Sequence, residues 1–177
     1  VCEAGLPRSL ASAACGRHIE SARIITEIER ERGGAEEASL WFEASAKLPV
    51  VGAARANALM SDAAASDDSD LRNIVHAGTP LTATALAVAE ATGASGQDVL
   101  TAIVLGYEAA GRIGESIMPR FDYRGHHGCM GATFGATIAA ARLFGLDATQ
   151  TAHALGLTAT SIGGLTKAAN TSIAREY

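Results

Sequence analysis

The sequence predicts an all-α, multi-helix domain, and three observations carry that expectation. Hydrophobic residues make up 48% of the 177 positions, but aromatics only 5% and charged residues only 19%. Ala, Leu, Ile and Val must therefore fill the core, and small side chains let helix axes approach closely. Helix-length segments are punctuated by proline near their starts and glycine just past their ends. Strand-like character is confined to one short stretch, Ser39 to Glu43.

Taken in order, the small and apolar residues Leu6 to Gly16 predict a short buried helix. From Arg17, Ile24, Ile25 and Ile28 fall on one helical stripe, with Glu20, Arg23, Glu27, Arg30 and Glu31 on the remaining, solvated face. Gly33-Gly34 ends that helix. Ser39-Leu40-Trp41-Phe42-Glu43 reads as an extended segment or brief strand. Pro49 suits the first turn of a helix running to about Met60. Ser61 to Ile74 is loop chemistry, rich in Ser, Asp and Asn that compete for the backbone. Pro80 opens a helix over Leu81 to about Ala91, closed by Gly93. Ser95 caps a long helix from Gly96 to about Ile117, and Phe121 to Gly128 forms a second polar loop. A helix follows from about Cys129 to Phe144, ended by Gly145. Asp147 caps another, broken at Gly163-Gly164, and Leu165 to Tyr177 is a loop with a helix beginning.

Composition also excludes some functions. A formal net charge of −5 and a pI near 5.5 leave no footprint for nucleic acid or an anionic membrane. A local cationic pocket on an acidic protein still accommodates an anionic substrate. Cys2, Cys15 and Cys129 show neither metal-type spacing nor a disulfide framework, so a cytoplasmic location is expected. No apolar run reaches bilayer length, and no signal peptide is visible. The chain opens Val1-Cys2-Glu3 without Met and stops at Arg175-Glu176-Tyr177, which reads as a fragment of one domain spanning 1–177.

Two loops concentrate the ionisable groups. The first carries Asp67, Asp68, Asp70, Arg72 and His76; the second carries Arg124, His126 and His127. Each precedes a helix, where unpaired N–H groups favour anions, and histidine moves protons near neutral pH. A site for a carboxylate and a proton transfer is the functional reading. On the residues alone, Asp67 and Asp68 read first as turn residues or caps. Adjacent histidines point apart and no Asp, Glu or Cys spacing completes a metal site around His126 and His127, so no metal is expected. His153 reads as a satisfied helix histidine, His18 as surface, and Cys129 as a buried, inert thiol.

Several segments resemble, in order, the MmgE/PrpD family. Ile74-Val75-His76-Ala77-Gly78-Thr79-Pro80 resembles its "HPGAP" loop-to-helix junction. Ala94-Ser95-Gly96-Gln97-Asp98-Val99-Leu100 with Gly106-Tyr107-Glu108 and Arg112-Ile113 is similar to its "ASG…LL…GYE…RI" helix. Phe134-Gly135-Ala136 with Ala139 to Leu146 is similar to "FGAAAAAARLLGL", and Asp147 to Gly156 continues the match. The likeness runs from about Val50 to Tyr177. The family contains 2-methylcitrate dehydratase, cis-aconitate decarboxylase and iminodisuccinate epimerase.

The resemblance implies an enzyme that needs no cofactor and acts on small di- or tricarboxylates. The implied chemistry is proton abstraction beside a carboxylate, then elimination, decarboxylation or reprotonation. The family's two active-site histidines fall on His76 and His126, with His127 as the neighbouring candidate for the second. Its acidic motif "DFDDT" lines up with Ala65-Ser66-Asp67-Asp68-Ser69, so the first Asp is Ala65, while Asp67 and Asp68 remain to orient a histidine or hold the loop. Its substrate lysine falls on Arg175, with Lys167 a poorer match; arginine grips carboxylates but does not readily release a proton. The resemblance implies a second, α+β lid domain, which is expected to lie outside these 177 residues. A homodimer through the helical domain is implied. The alternatives are a non-catalytic dimerisation or docking domain, and one half of a heteromeric enzyme whose lid is a separate chain.

Overall fold

A computed structural model describes residues 2–70, 75–117 and 130–163. Among these the architecture is helical, with one minimal two-stranded sheet, as the composition predicts. Helix α1 (Cys2–Gly16) buries Ser9, Ser12 and Ala13. At Gly16 an added Cβ would strike the backbone of Met60, so only glycine allows this crossing of α1 and α3 (Val50–Ala63).

Helix α2 (Glu20–Arg32) lies where the periodicity puts it and ends at Gly33, which takes φ +61°. Its isoleucine stripe, however, is only partly covered, by Ile25 against the core. Ile24 and Ile28 are 42% and 39% exposed, whereas Ala22, Thr26 and Glu29 are buried. The reason is electrostatic. Glu29 faces α3 and receives Arg55 at 2.7 Å and Arg32 at 2.8 Å, so a paired carboxylate occupies the contact. The strand-like stretch resolves into β1 (Ala38–Ser39) and β2 (Lys47–Leu48), antiparallel with Ala38 opposite Leu48. Trp41 to Glu43 belong to the intervening turn rather than to a strand, with Phe42 at φ +64° and Ser45 at φ +61°.

Pro49 immediately precedes α3, which runs three residues beyond the expected end, through Ser61 and Asp62. Helix α4 (Gly78–Thr92) starts two residues before Pro80 and closes on Gly93 in the left-handed conformation. Ser95 and Asp98 exchange hydrogen bonds at the head of α5 (Gly96–Ile117), and Asp147 and Gln150 form the same reciprocal box at the head of α7 (Ala148–Ser161). Helix α6 (Met130–Leu143) ends at Gly145, φ +68°.

Helix α4 is the central element. Leu81 and Val88 join Val75, Val99, Ile103 and Leu143 in one apolar cluster; Ala83 and Ala87 join Leu40, Trp41, Leu48 and Met60 in another. Helices α5 and α6 pack closely against each other. Glycine makes that approach possible: a Cβ at Gly135 would lie 2.5 Å from the Gly106 carbonyl oxygen. A seam of small polar residues crosses the interior between α1, α3 and α4. Ser12 donates to the Ser61 carbonyl at 2.5 Å, the hydroxyls of Ser61 and Thr79 meet at 3.0 Å, and Thr82 reaches Ser9 at 3.3 Å. Each buried hydroxyl in this seam therefore has a partner, which removes most of its burial penalty.

Candidate functional site

The first of the two ionisable loops leaves α3 at Ala64 and enters α4 at Gly78. Ala65 takes φ +49°, and its N–H bonds the Asp62 carbonyl at 2.8 Å, turning the chain sharply. This left-handed conformation suits Asp or Asn better than alanine. Farther on, Asp70 pairs with Val75 in an isolated antiparallel bridge. The loop thus doubles back, so that Asp67 and Asp68 stand beside His76.

Both aspartates face the N-terminus of α4. Asp68 Oδ1 accepts the Gly78 N–H at 2.8 Å, and its Oδ2 accepts the Tyr107 hydroxyl at 2.7 Å. Asp67 Oδ2 accepts from the Thr79 hydroxyl at 3.3 Å and lies 3.4 Å from His76 Nδ1. The Asp67 side chain is only 6% exposed, while that of His76 is 38% exposed. Helix α4 has no side-chain cap from Ala77, its preceding residue; Asp68 supplies the cap from ten positions upstream. Negative charge there is also favoured by the helix dipole.

The same arrangement sets the electrostatics of His76. Its hydrogen bond to Asp67 raises the imidazole pKa above the ordinary value, against the opposing effect of partial burial. The charge on Asp67, a backbone hydrogen bond at Asp68 and the charge on Asp62 add in the same direction. With Asp67 accepting from Nδ1, Nε2 is the nitrogen that carries the lone pair in the neutral ring. His76 is thus an oriented, half-exposed proton donor and acceptor.

Two consequences follow for ligand chemistry. The α4 N-terminus, read from the sequence as a place for an anionic substrate, is already filled by Asp67 and Asp68. A substrate carboxylate must find its positive charge elsewhere, since no Lys or Arg pairs with either aspartate among the described residues. Among those residues, no group of three His, Cys, Asp or Glu side chains is placed to hold a metal ion.

Of the sequence candidates, the structure brings together His76, Asp67 and Asp68. His126, His127, Lys167 and Arg175 lie outside the described residues, as do Arg72, Arg124 and Cys129. His18 is exposed and accepts from Arg17 at 2.9 Å, and His153 is exposed on α7. A groove of about 340 Å³ opens elsewhere, over α2 and the 41–43 turn, lined by Arg17, Arg23, Trp41 and Phe42 among others. No residue of the His76 loop lines it. Sequence reasoning missed the site contacts of Tyr107, which it met only within the Gly106-Tyr107-Glu108 motif, and of Thr79. Gly78 stands between Asp68 and Tyr107: its Cβ would collide with Asp68 and lie 2.6 Å from the Tyr107 hydroxyl.

Among the described residues, no helix is long and apolar enough to cross a membrane. Among curated proteins no relative matches the chain at a significant level. The family model described as the MmgE/PrpD N-terminal domain matches residues 7–176, beginning well before the motifs that first suggested it. That match spans nearly the whole sequence, including the His76 loop, and the chain belongs to the MmgE/PrpD family.

Proposed function

We propose that this chain carries part of the active site of a lyase or isomerase of small di- or tricarboxylates. The observation that supports the reading is the contact between His76 Nδ1 and the nearly buried Asp67 carboxylate. An imidazole held in this way exchanges a proton at Nε2 in a defined direction. In the proposed reaction His126, or its neighbour His127, removes the proton from carbon beside a substrate carboxylate. The electron pair left on carbon then expels a leaving group, or is reprotonated from the other face. His76, kept protonated to higher pH by Asp67, delivers the proton to the departing hydroxyl or to carbon. Asp68 holds the loop, and Arg175, with Lys167 as the weaker candidate, grips the carboxylate. In this reading the protein is a cytoplasmic homodimer, as the family resemblance and the cysteine content suggest, and no cofactor enters the scheme.

A second reading, a non-catalytic docking domain or one half of a two-chain enzyme, is favoured by a different observation. Helix α7 buries no residue and leaves Leu157 69% exposed; α5 leaves Leu100, Val104 and Leu105 at 42–48%. Exchange of the proton beside a carboxylate with D2O, followed by NMR over a panel of dicarboxylates, separates the readings. Epimerisation registers as exchange, dehydration as loss of that proton with a new alkene signal, and decarboxylation as deuterium taken up at the carbon that loses CO2. Exchange that falls by about 10²–10⁴-fold in His76→Gln supports the catalytic assignment. Undiminished exchange in that variant refutes it, and no exchange with any substrate leaves the docking reading.

A further inference from the structure

Resting on the reading of His76 as an acid/base group, we propose that Tyr107 is a positioning residue of this site. Its hydroxyl, bonded to Asp68, holds the Asp67–Asp68 segment so that Asp67 stays on His76 Nδ1. Nothing in the sequence motifs assigns Tyr107 this task. The geometry does so in three steps.

First, the hydroxyl sits where three helices converge. It extends from α5; a Cβ at Gly5 of α1 would come within 2.5 Å of it, and one at Gly78 of α4 within 2.6 Å. Glycines at both places leave room for one oxygen and little else. Second, that oxygen donates to Asp68 Oδ2 at 2.7 Å, while Asp68 Oδ1 takes the Gly78 N–H at 2.8 Å. A carboxylate with both oxygens engaged by two different helices has little freedom to turn. Third, Asp67 is its sequence neighbour, so fixing Asp68 fixes the shared peptide plane. From there Asp67 reaches Thr79 at 3.3 Å and His76 Nδ1 at 3.4 Å. The latter contact is long for a hydrogen bond, and a displacement of a few tenths of an ångström would break it. Elsewhere in the loop, backbone bonds at Ala65 and Asp70 and the Ser66 hydroxyl on the Ala64 carbonyl add anchors that do not touch Asp68. Tyr107 thus connects the middle of α5 to the tautomer of an imidazole it does not touch.

The test is Tyr107→Phe, which removes one oxygen, read by the ¹⁵N shifts and titration midpoint of His76. The charges acting on that imidazole are those of Asp67 and Asp62, with a backbone hydrogen bond at Asp68 adding in the same direction, and Tyr107→Phe alters none of these groups. Loss of the preferred Nδ1–H tautomer, with the midpoint falling toward the ordinary imidazole value as in Asp67→Asn, is the expected result. Unchanged shifts and midpoint in Tyr107→Phe, where Asp67→Asn moves both, would overturn the proposal. Should Tyr107→Phe fail to fold, Asp68→Asn serves instead. Its amide oxygen can still cap Gly78 while its NH₂ cannot accept the tyrosine proton, and a tautomer preference preserved in that variant would likewise refute the role. Because the readout is the imidazole itself, it stands or falls independently of the exchange assay. Undiminished exchange in His76→Gln would remove the catalytic reading and leave the positioning result intact.

Discussion

Removing the Asp68 carboxylate separates a structural clamp from a passive loop residue. In Asp68→Ala the Gly78 N–H, at a buried helix start, loses its acceptor, and Tyr107 loses the carboxylate it donates to at 2.7 Å. Hydrogen bonds to a charged group contribute about 1.5–3 kcal/mol each, and a helix N-terminus adds about 0.3–1 kcal/mol for nearby negative charge. Both bonds are only part-buried, so water recovers some of the loss and the two are not additive. A destabilisation of about 2–3 kcal/mol results, against roughly 1 kcal/mol for Asp68→Asn, which retains an oxygen for Gly78. Urea unfolding followed by circular dichroism at neutral pH measures both, with the denaturant slope confirming that the unfolding reaction is the same. If Asp68→Ala lost less than about 0.5 kcal/mol, the range of an ordinary surface substitution, Asp68 would not be capping α4 and the clamp would be refuted.

Gly135→Ala should lower stability although alanine is the better helix former. Its Cβ would stand 2.5 Å from the Gly106 carbonyl oxygen and 2.9 Å from Ala110 Cβ, so overpacking of about 1–3 kcal/mol outweighs a propensity gain of about 1 kcal/mol. Gly156→Ala, with nothing within 4 Å, should instead stabilise by roughly 0.5–1 kcal/mol, and equal effects in thermal unfolding would sink the close-packing argument. Asp67→Asn should cost stability in a pH-dependent way. Because the folded pKa of His76 is raised, its contribution is full below the unfolded value of about 6.5 and disappears as pH rises through the folded midpoint. The gap between wild type and Asp67→Asn in urea unfolding should therefore narrow with rising pH, and a gap that widened would contradict the pairing.

Where structure is set by neighbours in sequence, the sequence discloses it. Ser95 with Asp98 and Asp147 with Gln150 announce the starts of α5 and α7, because a capping box is closed within four residues. Gly93 and Gly145 announce ends because a left-handed residue suits glycine. Where a distant partner decides, local pattern misleads. The α4 start was misplaced at Pro80 because its cap, Asp68, arrives from another part of the loop. The isoleucine stripe of α2 is only partly buried, because Glu29, paired with the half-exposed Arg55, takes up part of the α3 contact. The turn at Trp41 to Ser45 carries none of the Asn-Gly chemistry that would mark a hairpin.

The candidate site divides in the same manner. His76 and the two aspartates stood out because ionisable groups are rare in this apolar chain, and a loop that doubles back brings all three together. Their chemistry was only half legible. Read as a sequence, a loop feeding a helix N-terminus invites an anion. Folded, the loop's own carboxylates fill that place, and the site around His76 becomes acidic. Two like charges across about 4 Å of partly wet protein repel by about 4 kcal/mol, enough to keep a dicarboxylate away without compensating cations. The sequence supplies candidates at Arg72, Arg124, Lys167 and Arg175. The acidity that repels an anion also raises the pKa of His76, and in its protonated form the imidazolium is itself one of the charges a carboxylate requires. Asp67 therefore acts in two opposing ways: it weakens the field for substrate and strengthens the donor that meets it. A group so placed favours proton delivery over proton removal at His76, which leaves abstraction to the second histidine in the proposed reaction.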